Sequence, residues 1–346
     1  MTTQKENIMP HAKTIAIIGA GFAGATLAQR MLKAGYAVTV FDKSRGTGGR
    51  MASARLGQSS ADLGAPFIET NNETFSAWLT QQPDVEAWQP LTTELSDAAS
   101  VYVAKPRQSA LTRRMLTGAT LITSTPVKEI WPEKNCVLLR DALGHSLGCF
   151  DTVIVTAPAQ QAATLLDAVP RFAKHAARIK PTPAWVCLMA LEQPSGLDAD
   201  MWIGNDGVLF RAIRDSAKPG RDKGEWAEIW SLEATPEWSQ VHLETDKETI
   251  ANQLLESFKQ LSNGSFVPKE KRVHRWLYSR HNKQDRQQNS TDKNRVDNNS
   301  IDKNELFLWS EANAIGACGD WFSHTGVEGA WFSANALADV LLKAPR

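Results

Sequence analysis

The chain has 346 residues, which is enough to bury a sizeable core in two domains or in one large α/β body. Its 38 basic and 38 acidic side chains cancel, which argues against a global field that would recruit nucleic acid or an anionic membrane. No apolar run reaches membrane-spanning length and the polar first residues lack the apolar core of a signal peptide, so we expect a soluble cytoplasmic protein without nucleic-acid or membrane partners.

The first elements predict a nucleotide-binding βαβ unit. The apolar run TIAII is followed by Gly19, Gly21 and Gly24 in the spacing GxGxxG. A helix-period stretch and a second apolar run then lead to Asp42. In this motif the glycines allow a tight turn, close approach of a pyrophosphate and close helix packing, while the helix N-terminus and the acid bind phosphate and ribose. Because the whole context is present, we favour a dinucleotide site over a plain glycine-rich turn.

Signals for loops, helices and strands continue after Asp42. The segment KSRGTGGRM predicts a loop, because it is too rich in glycine for a helix or a central strand. The next predictions, in chain order, are a short strand or turn at 62–67, helix and loop at 71–100, an amphipathic helix at 109–116, strands in TLITSTPVKEI and CVLLRDALG, and a buried parallel strand at 151–160.

The composition changes between Gln161 and Trp276, where tryptophans are frequent. The alternating segments AWVCLMALE and WAEIWSLEA predict strands of an antiparallel sheet, and residues 248–261 predict a helix. Residues 281–304 contain almost no apolar side chains and predict a mobile insertion. A final helix is predicted from about Val327.

These elements predict an α/β fold in which a Rossmann-type nucleotide domain is joined by an α+β substrate domain built on an antiparallel sheet. Elements from the C-terminus would complete the N-terminal nucleotide unit, so we expect a discontinuous domain. The predicted boundaries are 12–70 with 101–160 and 305–346 for the nucleotide domain, 71–100 with 161–280 for the substrate domain, and 281–304 for the insertion.

The four cysteines, Cys136, Cys149, Cys187 and Cys318, lie without CxxC or metal-ligand spacing. This pattern predicts free thiols in a reducing compartment and no metal site. The lack of paired redox cysteines and of a second GxGxxG also disfavours a disulfide reductase or an NADPH monooxygenase.

Three further segments indicate a flavin. RGTGGRM carries two arginines, which suit a diphosphate. From Gly319 the sequence GDW leads to VEGAW, where Asp320 can bind ribityl hydroxyls and a helix N-terminus can stabilise negative charge on a reduced flavin. In TPVKEI, Val127 can supply a backbone contact to adenine. The alternatives are a solvated arginine pair, an ordinary C-terminal helix and a plain edge strand.

Taken together, these motifs and DLGA resemble the flavin amine oxidase superfamily and, within it, bacterial renalase-like proteins, over nearly the whole chain outside the insertion. The resemblance implies noncovalent FAD on a fold similar to p-hydroxybenzoate hydroxylase. It also implies oxidation of wrongly reduced dihydronicotinamide isomers, with electrons passed to O2. The cofactor-binding residues predicted from the motifs and the resemblance are Gly19, Gly21, Phe22, Ala23, Gly24, Asp42, Lys43, Arg45, Gly49, Arg50, Met51, Gly64, Ala65, Val127, Ala157, Gly319, Asp320, Val327, Glu328, Gly329 and Ala330.

Two segments depart from the renalase-like pattern. Relatives read DLGAQY where this chain has Pro66 and Phe67, and KPGM where it has Arg107 and Gln108. Both changes can alter substrate choice without affecting FAD binding.

The candidate catalytic residues are His274, His324 and Trp321, for which core packing is the alternative. Amine oxidases place a lysine near the flavin, but no lysine of this sequence stands in a motif that would do so. This absence favours a dihydropyridine substrate over an amine. An amine or polyamine oxidase remains the second enzyme hypothesis. A redox-silent FAD-binding scaffold is the hypothesis from another class. In each case the ligand or substrate is a small molecule, and the oligomeric state is left open.

Overall fold

The computed structural model describes residues 12–92, 100–281, 306–323 and 326–343. The helices are α1 (Phe22–Lys33), α2 (Glu73–Thr80), α3 (Gln108–Met115), α4 (Ala159–Leu165), α5 (Pro170–Ala177), α6 (Pro236–Val241), α7 (Lys247–Ser262) and α8 (Gly326–Lys343). None of these described helices combines the length and the apolar character needed to cross a membrane.

Five sheets contain the strands, numbered in chain order. The strands are β1 (Thr14–Ile18), β2 (Ala37–Phe41), β3 (Ser53–Leu56), β4 (Ser59–Asp62), β5 (Ile68–Thr70), β6 (Val85–Ala87), β7 (Ser100–Ala104), β8 (Thr120–Ile122), β9 (Glu129–Pro132), β10 (Val137–Arg140), β11 (Ser146–Phe150), β12 (Thr152–Val155), β13 (Pro181–Leu191), β14 (Met201–Ile203), β15 (Leu209–Arg214), β16 (Glu228–Ala234), β17 (Glu270–His281), β18 (Phe307–Ser310) and β19 (Ile315–Cys318).

A six-stranded sheet in the order β18-β19-β12-β1-β2-β8 forms the centre of the nucleotide unit. Its strands are parallel except for β18, which lies antiparallel at one edge. Ile15 and Ile17 of β1 pack with α1 and α8 on one face, while Ala16 and Ile18 pack with α4 and α5 on the other. A sheet covered on both faces explains the continuous apolar run in the sequence.

The second large sheet is antiparallel, in the order β14-β15-β16-β13-β17. One face of β13, which includes Cys187 and Met189, packs on α7. The opposite face, which includes Val186 and Leu188, packs on the β3–β4 hairpin. The predicted α/β fold with a second, antiparallel unit is confirmed, as are the strands at β13 and β16 and the helix at α7.

One predicted strand, TLITSTPVKEI, is wrong as a single element. The structure divides it into β8, which joins the parallel sheet, and β9, which pairs with β10. Between them Ser124 adopts a left-handed φ of 55°, and the N–H of Thr125 donates to the carbonyl of Asp42 at 2.9 Å. The predicted insertion, apart from its first residue, lies outside the described residues.

The prediction of four free thiols is also wrong, because Cys136 and Cys149 form a disulfide across the β10–β11 hairpin, with their Cα atoms 5.7 Å apart. The hairpin register brings together two cysteines whose sequence spacing carries no signal. Cys187 and Cys318 are free and fully buried. Burial raises the pKa of the Cys187 thiol to about 12 and that of Cys318 further still.

We therefore expect a chromogenic aryl disulfide to label no described cysteine in the native protein at neutral pH, since a buried protonated thiol is a poor nucleophile. Unfolding without reductant should release the thiols of Cys187 and Cys318 alone, and unfolding after reduction should add those of Cys136 and Cys149. Release of all the thiols without reductant would contradict the disulfide.

Candidate functional site

The three motif glycines have different surroundings at the carboxyl end of β1. Gly19 has a φ of +119°, and an added Cβ would lie 2.6 Å from Thr156 Oγ1. A Cβ at Gly24 would lie 2.0 Å from the carbonyl oxygen of Gly19. A Cβ at Gly21 would meet only Gly49 Cα, at 4.0 Å. Packing therefore requires glycine at positions 19 and 24, whereas Gly21 borders open space at the start of α1. Because glycine has no side chain, the first N–H groups of α1 receive no side-chain cap from Gly21.

Asp42 ends β2 beside this motif. One carboxylate oxygen accepts the N–H of Ala20 at 2.7 Å, and the other accepts the N–H of Ser44 at 2.7 Å. These bonds hold the carboxylate in place, and each oxygen keeps acceptor capacity for a hydroxyl.

The glycine-rich loop lies against the motif and reaches the C-terminal segment. The N–H of Gly48 donates to the carbonyl of Ala20 at 2.9 Å. Arg50 makes a bidentate ion pair with Asp320, with both N–O distances 2.6 Å. The guanidinium group also lies 3.5 Å from the carbonyl oxygen of Ser279 in β17. Two residues predicted to contact one cofactor, far apart in sequence, therefore meet.

Helix α8 closes the same region. Arg30 of α1 donates to Asn335 at 2.7 Å and pairs with Asp339 at 2.6 Å, which fixes α8 against α1. At the other end of α8, the Glu328 carboxylate accepts a hydrogen bond from the Thr70 hydroxyl. Val327, Gly329 and Ala330 belong to this first turn of α8.

The DLGA segment contacts the glycine-rich loop directly. The N–H of Ala65 donates to the carbonyl of Arg50 at 2.7 Å. A Cβ at Gly64 would lie 1.9 Å from that carbonyl oxygen, so only glycine fits. Of the remaining predicted cofactor residues, five are buried, two are exposed and one lies in the turn after β12. The buried ones are Phe22, Ala23, Met51, Val127 and Gly319, the exposed ones are Lys43 and Arg45, and the turn residue is Ala157.

Of the three predicted catalytic residues, two are described. Trp321 is 1 % exposed and stacks on Phe322 at 3.9 Å, within the apolar cluster of the parallel sheet. This position favours a packing role. His324 lies outside the described residues.

His274 is half-buried on β17 and forms an edge contact of 4.3 Å with Trp276. The indole of Trp276 donates to the carbonyl of Leu63 at 3.0 Å, which directs this face of β17 toward DLGA. Burial lowers the pKa of His274, and the positive charges of Lys247 and Arg272 lower it further. The imidazole is therefore neutral at physiological pH.

We expect an NMR titration of the His274 ring to give a pKa below the ordinary 6.5. The variant Arg272→Gln removes one of the opposing positive charges and should move this pKa upward. A wild-type value at or above 6.5 would contradict this environment.

A polar cluster on the second sheet was missed by sequence analysis. Arg211 donates to Glu233 at 2.6 Å, and Arg280 pairs with the other oxygen of Glu233 at 2.7 Å. The Arg211 guanidinium lies 5.7 Å from the ring of Phe67, one of the two residues that replace the QY of DLGAQY. Burial lowers the pKa of Arg211, although Glu233 opposes that shift. Arg280 directly follows Ser279, the residue whose carbonyl oxygen lies 3.5 Å from Arg50.

Sequence analysis also missed a buried charge cluster behind DLGA. Asp62 and Asp215 are matched by Lys218 and Arg221, and each of these side chains is at most 2 % exposed. Burial by itself would raise the pKa of Asp62, but Lys218 and Arg221 hold it below its usual value. The cluster joins the β4–DLGA segment to the segment that follows β15.

Comparison with protein families matches residues 17–81 to the NAD(P)-binding Rossmann-like domain and residues 87–342 to flavin containing amine oxidoreductase. The chain belongs to the flavin-containing amine oxidoreductase family. It is therefore a flavin-dependent oxidoreductase that acts on a small-molecule substrate, and the predicted superfamily is confirmed. The renalase-like subgroup remains a prediction.

Solved structures of similar fold include a putative protoporphyrinogen oxidase from Exiguobacterium sp. 255-15, with a TM-score of 0.70 and 11 % identity over 95 % of this chain and 98 % of that one. An oxidoreductase from Methanosarcina mazei gives a TM-score of 0.65 and 13 % identity over 94 % and 100 %. Wild-type putrescine oxidase bound to putrescine gives 0.66 and 10 % over 96 % and 99 %. At these identities the likeness concerns the fold alone.

The residues at the site fit a flavin dinucleotide. Gly21 borders open space at the uncapped start of α1, which suits a diphosphate. Asp42 has the sequence spacing from the glycines at which this motif carries its ribose-binding acid, and its carboxylate is fixed by the N–H of Ala20. Arg50, Asp320 and the first turn of α8 extend this region toward the DLGA segment.

Proposed function

We propose that the flavin is FAD, bound noncovalently. In this proposal the start of α1 and Gly21 bind the diphosphate, and Asp42 binds the adenosine ribose. Asp320, oriented by Arg50, accepts hydrogen bonds from the ribityl hydroxyls. The N-terminus of α8 lies at the pyrimidine end, where its dipole favours negative charge.

We further propose that the substrate is a dihydronicotinamide-type ring, as in renalase-like proteins, and that O2 is the electron acceptor. The bound flavin supplies a hydride acceptor at N5 that O2 can reoxidise. The observation that carries this proposal is the cluster in which Arg211 and Arg280 share the single carboxylate of Glu233. The exposed Glu69 acts on Arg211 only from a longer distance.

This cluster suits an anionic or carboxamide-bearing substrate better than a cationic amine. Arg280 is 35 % exposed and keeps N–H groups free to donate beyond Glu233. A carboxamide or phosphate oxygen would accept from that fork. An ammonium group would meet two guanidinium groups for one carboxylate, which is unfavourable. The half-buried Trp276 supplies aromatic surface for a flat ring, and neutral His274 beside it offers an unprotonated ring nitrogen.

An amine or polyamine oxidase is the second candidate. The match to the flavin containing amine oxidoreductase family favours it, and Glu233 could bind an ammonium group if the arginines moved away. Amine oxidases place a lysine near the flavin, and no lysine of this sequence stands in a motif that would do so. The buried Lys218 is held by the carboxylates of Asp62 and Asp215.

Anaerobic titration of the yellow holoprotein tests these alternatives. We expect 6-dihydro-NAD(P) to bleach the flavin and putrescine to leave it oxidised, with admission of O2 restoring the colour. The variant Arg280→Gln should slow bleaching about tenfold or more, since it removes a charged donor to the substrate. Arg275→Gln on the opposite face of β17 is the matched control and should bleach at the wild-type rate.

Bleaching by putrescine alone would favour the amine oxidase. If neither donor reduced the flavin, the redox-silent scaffold would be favoured instead.

A further inference from the structure

A polar cavity of about 190 Å³ lies between residues 46–47 of the glycine-rich loop, the β3–β4 hairpin and α3. Its lining includes Arg55, Arg107 and Arg113 together with the hydroxyls of Thr47, Ser53 and Ser109. No acidic side chain of the described chain lines it. We propose that this cavity binds a phosphate or diphosphate group of a small anion, at a site separate from the cofactor.

The arginines of the cavity are not paired with acidic side chains of the described chain. Across the described ranges, Arg55, Arg107 and Arg113 form no ion pair with a carboxylate. Arg114, the next residue along α3, contrasts with them because it pairs with Asp84 at 2.8 Å. Three guanidinium groups that line one cavity without a carboxylate partner favour an anion there.

The cavity and the nucleotide motif contact different residues of the glycine-rich loop. Gly48 and Gly49 face Ala20 and Gly21. The Thr47 hydroxyl instead lies 3.4 Å from the Thr112 hydroxyl of α3. The cavity and the diphosphate position proposed above are therefore lined by different residues of this loop.

The size and chemistry of the cavity fit a charged group and not a whole dinucleotide. About 190 Å³ corresponds to roughly six waters at about 30 Å³ each, below the ~300–1,000 Å³ typical of larger organic ligands. Arginine forks match phosphate oxygens, and Ser109 lies in the first turn of α3, where the helix dipole favours an anion. One carboxylate, that of Asp62, contacts Ser53, but Lys218 and Arg221 counter its charge.

Calorimetric titration of the holoprotein tests the proposal, with inorganic phosphate, pyrophosphate and ADP as separate probes. We expect saturable binding of pyrophosphate that weakens as salt rises. The double variant Arg107→Gln/Arg113→Gln should weaken it about tenfold or more, while the flavin absorbance stays unchanged. Arg171→Gln/Arg178→Gln, which removes two exposed arginines of the α5 region, is the matched control and should bind as the wild type does.

The three probes distinguish the source of the phosphate. Tighter binding of ADP than of pyrophosphate would support a nucleotide ligand, and the reverse order would support a free anion. The proposal is overturned if no probe binds saturably or if the control variant loses binding equally. Loss of flavin from the Arg107→Gln/Arg113→Gln variant would overturn it too, because the cavity would then belong to the cofactor. The single variant Arg55→Gln, at an exposed hairpin position, repeats the test without altering α3.

Discussion

Replacing Lys218 with methionine should lower the free energy of unfolding by about 3–5 kcal/mol, the usual cost of removing one partner from a buried ion cluster. Lys218 is fully buried and pairs with both Asp62, at 3.0 Å, and Asp215. Without its ammonium group, two buried carboxylates would share the single guanidinium of Arg221. Urea unfolding of the flavin-free protein measures the change, because loss of cofactor then contributes nothing.

The matched control is Lys269→Met, which removes an ion pair whose two side chains, those of Lys269 and Glu192, are 62 % and 60 % exposed. Such surface pairs contribute about 0–1 kcal/mol, so this variant should unfold almost as the wild type does. The double variant Asp215→Asn/Lys218→Met removes one charge of each sign and should recover part of the loss. Equal stability of Lys218→Met and Lys269→Met would show that the cluster does not stabilise the fold.

This charge cluster illustrates what the sequence could not reveal. In the sequence Asp62 belongs only to the DLGA motif, and nothing near Lys218 or Arg221 forms a motif. The three residues meet because the β3–β4 hairpin packs on the antiparallel sheet, a contact between segments more than 150 residues apart in sequence. The same limit applies to Arg211 and Glu233, whose pairing depends on the register of β15 and β16.

The nucleotide unit could be predicted because its signals are local. The glycine spacing, the apolar runs and Asp42 all lie within one βαβ unit, so short-range patterns determine their positions. Residues whose positions depend on distant packing carry no such local signal. Trp321 follows Gly319 and Asp320 in a motif near the site, yet its side chain turns into the core beside Phe322. Sequence spacing places a residue along the chain but does not give the direction of its side chain.

Replacing Gly21 with valine should give a folded but colourless protein, with affinity for FAD reduced about 100-fold or more, or ~2.7 kcal/mol. The backbone at Gly21 has φ −76° and ψ −174°, a conformation that β-branched residues adopt readily. A Cβ there meets no protein atom closer than Gly49 Cα at 4.0 Å, so the flavin-free fold has room for it. The new side chain would instead fill the space through which the proposed diphosphate approaches the start of α1.

Gly24→Val, two positions into the helix, is the informative comparison. Its Cβ would lie 2.0 Å from the carbonyl oxygen of Gly19, which cannot move without disturbing the β1–α1 turn. Overpacking of this kind costs about 1–3 kcal/mol or more, so this variant should be destabilised in the absence of flavin, while Gly21→Val should not. Urea unfolding of both flavin-free variants, beside absorbance of the proteins as purified, separates loss of binding from loss of folding. A yellow Gly21→Val protein would mean that the diphosphate lies elsewhere, because a valine side chain and a phosphate cannot share the volume in front of Gly21.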